Sequence, residues 1–137
     1  MHLYETHIAV TDTKSAERFY CDIVGLPFAY RDPARDIVFL WADVKEQAMI
    51  GLWGPNTTYG PQSGATAKCH VAFAVSLDEL FNAITKLTDN KIDWMPSAQI
   101  YFRDPDGHML EFISILPDPP NPKFNGRYSE WKKLIRT

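Results

Sequence analysis

His7-Ile8-Ala9-Val10 and His70-Val71-Ala72-Phe73 are one pattern met twice, 63 positions apart, and this repeat decides the architecture. Both runs lead within a few residues to a helix start. After the first, Asp12 or Thr13 can cap a helix whose apolar stripe is Ala16, Phe19, Tyr20 and Ile23, with Gly25 suited to a left-handed exit. After the second, Ser76 and Glu79 have capping-box spacing ahead of Leu77, Leu80, Phe81, Ile84 and Leu87, and Asn90 stops the helix. Strand patterns follow each helix. They run from Ile37 to Asp43 and Gln47 to Trp53 in the first half, and from Ala98 to Arg103 and Met109 to Ile115 in the second. In the turn Arg103-Asp104-Pro105-Asp106-Gly107, Pro presets φ and Gly supplies a positive one. Each half therefore reads strand, helix, then two or three antiparallel strands, which predicts an α+β fold of two βαβββ modules.

The boundaries follow from composition. The first module covers about 4–54 and a Gly-, Pro- and Ser-rich linker covers about 55–67. The second module covers about 68–116. Residues 117–137 form an arm whose Pro117, Pro119, Pro120 and Pro122 can neither join a sheet interior nor continue a helix. Within it, Trp131, Leu134 and Ile135 could share the face of a short helix. The halves are too small to stand as independent domains, so residues 1–137 are read as one domain.

Charge and hydropathy exclude several classes of function. Fourteen Lys and Arg against 17 Asp and Glu give a net charge of −3, which offers no footprint for nucleic acid. No apolar run approaches the ~20 residues that a membrane span needs, and no leader-like segment opens the chain, so a cytoplasmic protein is expected. Cys21 and Cys69 are too few for a disulfide framework and are expected to be reduced.

Strand parity locates the chemistry, because alternate residues face opposite sides of a sheet. Ile8, Val10, Ile50, Leu52, Val71, Phe73, Ile100, Phe102, Leu110 and Phe112 are assigned to the helices. The other face then collects His7, Gly51, Trp53, His70, Tyr101, Arg103 and Glu111 among smaller residues, a mixture suited to a pocket. In this reading His7 and His70 hold equivalent positions, and Met49-Ile50-Gly51-Leu52 aligns with Met109-Leu110-Glu111-Phe112. Two imidazoles and one carboxylate suit Mn²⁺, Fe²⁺, Zn²⁺ or Ni²⁺ and leave coordination positions open. Taken singly, a strand histidine is more often a core or surface residue, and a lone Glu in a last strand is more often solvated. The repeat, the parity and the aligned strand ends together favour the metal.

The pattern resembles the glyoxalase, bleomycin-resistance and extradiol dioxygenase superfamily, the vicinal oxygen chelate proteins. The resemblance is carried by His7 to Asp12 running on to Ser15-Ala16-Glu17-Arg18-Phe19-Tyr20 and Val24-Gly25-Leu26, by Cys69 to Phe73, and most specifically by Tyr101 to Phe112. It implies two βαβββ modules in a mixed sheet curved around a metal-binding cavity, with helices on the outer face. It also implies a small-molecule substrate and frequent homodimers in which modules of different chains complete one site. Its metal positions fall on His7, His70 and Glu111, the set that parity selects. Members with glyoxalase I activity carry a fourth ligand, usually Glu, where this chain has Gly51. Tyr101 matches a substrate-contacting Tyr of the fosfomycin-resistance thiol transferases, whereas Gln99 and Ala9 stand where those enzymes typically have Ser and Thr.

The expected mechanism uses a substrate whose two neighbouring oxygens chelate the metal, which acts as a Lewis acid in a lyase, transferase or dioxygenase reaction. Tyr101 would donate a proton or hydrogen bond, and Arg103 would hold an anionic part of the substrate. For Arg103 a turn salt bridge to Asp104 or Asp106 competes with that role, and Trp53 and Met49 are more simply core residues. The rivals are a fosfomycin-type thiol transferase and a metal-free, antibiotic-type binding protein. The second would bury two His and a Glu without recompense.

Overall fold

The computed structural model describes residues 1, 3–43, 45–57, 68–96 and 99–114. The chain divides into two compact units, Met1–Cys69 and His70–Thr137, and each has the expected βαβββ order. The proposed arm at 117–137 and most of the linker lie outside the described residues.

The first unit comprises β1 (Glu5–Ala9), α1 (Thr13–Arg18), β2 (Phe28–Asp32), β3 (Ile37–Trp41) and β4 (Met49–Trp53). Its sheet runs β1-β4-β3-β2, with β1 parallel to β4 and the remaining pairs antiparallel. Asp12 caps α1 by accepting from the Ser15 backbone N–H at 2.6 Å. The helix then widens into a π-helical stretch at Phe19–Val24, where the Gly25 N–H reaches back five residues to the Tyr20 carbonyl. Gly25 closes it at φ 90°, the left-handed exit that its lack of a Cβ permits. Ile8, Val38, Leu40, Ile50 and Leu52 are all buried on the sheet face that parity assigns to the helix.

The second unit repeats the plan with β5 (His70–Ala74), α2 (Leu77–Asp89), β6 (Trp94–Pro96), β7 (Ile100–Arg103) and β8 (Met109–Ile113), ordered β5-β8-β7-β6. The capping box at α2 is complete. Ser76 accepts from the Glu79 N–H, and Glu79 accepts from the Ser76 N–H at 2.7 Å. Leu80, Ala83 and Leu87 bury the helix stripe, and Ile100, Phe102, Leu110 and Phe112 are buried in the sheet.

Three expectations change. The strand read as reaching Asp43 ends at Trp41, because the Asp43 carboxylate takes the Gln47 and Ala48 N–H groups and turns the chain; the next strand starts at Met49. The edge strands β2 and β6 escape the sequence pattern. One is bulged between Phe28 and Tyr30 with both rings exposed, and the other is three residues long and ends in proline. Finally, His7 and His70 are not equivalent in ladder register. His7 is the third residue of its strand, opposite Gly51, whereas His70 is the first of its strand, opposite Met109.

Candidate metal centre

In the second unit, Glu111 lies opposite both Ala72 of β5 and Tyr101 of β7, so three strands supply one point on the face turned away from α2. His70 Nε2 stands 2.9 Å from Glu111 Oε2, with the imidazole half exposed and the carboxylate buried. Tyr101 hydrogen-bonds to the same carboxylate. Burial first, and then the Glu111 charge and this bond, push the phenol above its ordinary range, so it stays protonated as a donor. Glu111 Oε1 is buried and has no hydrogen-bond partner among the described residues. An orphaned carboxylate oxygen of this kind costs about 1–3 kcal/mol or more unless something occupies it.

Tyr101 also borders a cavity of about 380 Å³ walled by Trp94, Met95, Phe102 and Met109, with Arg103 at its margin. The Arg103 guanidinium donates to the Gly107 carbonyl at 2.8 Å, which anchors it at the turn it begins. His108, buried in that turn, gives its backbone N–H to Asp104.

The first unit carries His7 on the equivalent face, opposite Gly51, where Ile37, Phe39, Met49 and Trp53 form a buried cluster with Trp41 against it. The Trp53 indole N–H donates to His7 Nδ1, and His7 Nε2 meets Glu5 Oε1 at 2.5 Å. Phe39 stands edge-on to the ring, with centroids 5.9 Å apart. A Cβ at Gly51 would lie 2.8 Å from His7 Cε1 and 3.2 Å from Phe39 Cε1, so no side chain fits there while His7 holds this place. The sequence thus lacks the fourth ligand of glyoxalase I at Gly51, and a side chain there would require His7 to move. The partnership of His7 with Glu5 and Trp53 lies outside the repeated segment, which begins at His7; the signal for Glu5 is that it stands two residues before His7 and shares its parity.

Within each unit taken by itself, no three His, Cys, Asp or Glu side chains gather among the described residues. The donors occur as pairs, His7 with Glu5 and His70 with Glu111. The second pair fits a metal by the chemistry of its donors, a ring nitrogen beside a carboxylate whose buried Oε1 has no hydrogen-bond partner among the described residues. Neither cysteine is in a disulfide, and burial, with Glu17 and Asp22 nearby, pushes the Cys21 thiol up and keeps it protonated.

The Glyoxalase/Bleomycin resistance protein/Dioxygenase superfamily model matches residues 2–112, and the chain belongs to this superfamily. Among curated proteins, biphenyl-2,3-diol 1,2-dioxygenase 3 of Rhodococcus globerulus is 30% identical over 103 residues, which are 69% of this chain and 53% of that protein. The chain thus spans about half the length of the curated relative it matches. Among solved structures, a lactoylglutathione lyase from Agrobacterium tumefaciens shares the fold at a TM-score of 0.64 and 24% identity, covering 82% of this chain and 92% of that one. A glyoxalase/dioxygenase from Nostoc punctiforme does so at 0.64 and 21%, covering 86% and 91%.

Proposed function

We propose that the chain is a metal-dependent enzyme that binds a small substrate through two neighbouring oxygens, with His7, His70 and Glu111 as protein ligands to one divalent ion. The observation that carries this reading is the buried, unpartnered Glu111 Oε1 beside His70 and Tyr101. Mn²⁺, Fe²⁺, Zn²⁺ and Ni²⁺ all suit two imidazoles and a carboxylate. The ion supplies Lewis acidity toward the substrate's oxygens. The chain's own residues do the rest. Tyr101, held protonated at the edge of the cavity, gives a hydrogen bond or proton to a substrate oxygen. Arg103 takes an anionic group at the cavity margin, and Trp94, Met95, Phe102 and Met109 exclude water from an apolar body. His7 and His70 come from the two units, of one chain or of two copies in a homodimer.

The aromatic lining, together with the likeness to a dioxygenase named for an aromatic diol, makes vicinal aromatic diols the first substrate class to test. Gly51 argues against the glyoxalase I reaction. No helix among the described residues is long and apolar enough to cross a membrane; a cytoplasmic location is part of the proposal. The test is a thermal-shift series with catechol-type ligands, run with and without added Mn²⁺, Fe²⁺, Zn²⁺ or Ni²⁺. Stabilisation by ligand that requires one of these ions supports the reading, since a ligand at ~100 times its Kd adds about 2.7 kcal/mol by mass action. Equal stabilisation in the presence of a chelator would instead favour a metal-free binding protein.

A further inference from the structure

We infer that Glu5 is a ligand of the same ion as His7, supplying from β1 the carboxylate that Gly51 leaves out of β4. The inference rests on the metal reading above.

Ladder register is the first ground. Glu5 stands opposite Met49 as His70 stands opposite Met109, so the place that carries a donor in the second unit carries a carboxylate in the first. The second ground is space. The counterpart of Glu111 is Gly51, and a Cβ there would press on His7 and Phe39. Any carboxylate that the first unit gives to the ion therefore comes from elsewhere on this face, and Glu5, two residues before His7 on one strand, shares that face.

The hydrogen-bond pattern is the third ground. An indole N–H can only donate, so the Trp53 bond makes His7 Nδ1 the acceptor and places the ring proton on Nε2, where it is given to Glu5 Oε1 at 2.5 Å. A proton held between a ring nitrogen and a carboxylate occupies the place a divalent ion takes when it displaces that proton. The two side chains are 31% and 33% exposed, so the position is open to an incoming ion. Two carboxylates with two imidazoles shift preference toward oxygen-favouring ions such as Mn²⁺, relative to a site with one carboxylate.

The test uses the full-length protein stripped with chelator and titrated with Co²⁺, followed by visible absorption, and with Mn²⁺, followed by electron paramagnetic resonance. Glu5→Gln is isosteric, keeps an acceptor for His7 and lies at a partly exposed position, so the fold is retained. It is compared with Glu111→Gln and His70→Ala. The expected result is a changed Co²⁺ spectrum and affinity for both ions lowered on the order of tenfold or more in Glu5→Gln, with Mn²⁺ losing the most. A wild-type Co²⁺ spectrum in Glu5→Gln, with or without weaker binding, overturns the inference while the metal reading stands. Wild-type binding in Glu111→Gln and His70→Ala removes both.

Discussion

Residue by residue, the candidate centre is defined by what surrounds His7 and Glu111. Gly51 is fixed by contact, because any side chain there meets an imidazole already held by Trp53 and Phe39. Gly51→Ala is therefore expected to lower unfolding free energy by about 1–3 kcal/mol in urea titrations, the usual cost of forcing an extra methyl into packed surroundings. Trp53 makes a different prediction. A ring that gives Nε2 to a cation carries its proton on Nδ1, so the Trp53 indole must release it, and metal binding competes with that hydrogen bond. Removing the donor in Trp53→Phe is expected to tighten metal binding roughly fivefold, the equivalent of one net hydrogen bond of about 1 kcal/mol, measured by competition with a chromophoric chelator. Unchanged or weaker binding in that variant would show that the indole does not hold the ring in its metal-free form.

Among the elements, α2 owes its start to the reciprocal bonds between Ser76 and Glu79, and this local device makes its prediction independent of any metal. Ser76→Ala is expected to cost about 1 kcal/mol of stability. The Ser76 backbone N–H, then its hydroxyl, hold the Glu79 carboxyl below its usual range. The folded state thus binds that proton less readily than the unfolded chain. Glu79 accordingly stabilises above the ordinary carboxylate pKa, and its contribution is lost as pH falls through the depressed folded value. The stability difference between wild type and Glu79→Gln should shrink as pH drops below about 4 and return at neutral pH, as read from denaturation curves.

Helix ends and central strands are legible in the sequence, and edge strands are not. Asp12, Gly25, Ser76 and Glu79 announce helix ends because caps are satisfied within a few residues of chain. The strands β3, β4, β7 and β8 announce themselves by apolar parity. The edges did not, since an edge strand needs apolar residues on neither face; Phe28 and Tyr30 are exposed rings and β6 has three residues. The widening of α1 at Tyr20 also has no cap or breaker to signal it.

At the level of the whole molecule, each unit repeats one topology, and the sheet order β1-β4-β3-β2 matches β5-β8-β7-β6. The repeat His7-Ile8-Ala9-Val10 and His70-Val71-Ala72-Phe73 was sufficient to predict that plan. Sequence alignment of the two halves nevertheless placed His7 on His70, whereas strand pairing offsets the ladders by two residues and puts Glu5 at that place. Register is a property of the paired strands, so a single strand's sequence does not carry it. The candidate centre was legible to the same extent. His70, Glu111 and Tyr101 converge as parity requires, while the partnership of His7 with Trp53 and Glu5 depends on contacts made across β1 and β4 and on the true start of β1.

The most direct measurement is metal content by elemental analysis of full-length protein purified without chelators, alongside His7→Ala, His70→Ala and Glu111→Gln. The account predicts close to one divalent transition metal per chain in the wild type and loss of most of it in all three variants. Wild-type metal content in His7→Ala, or in the other two, would contradict a single ion held by ligands from both units.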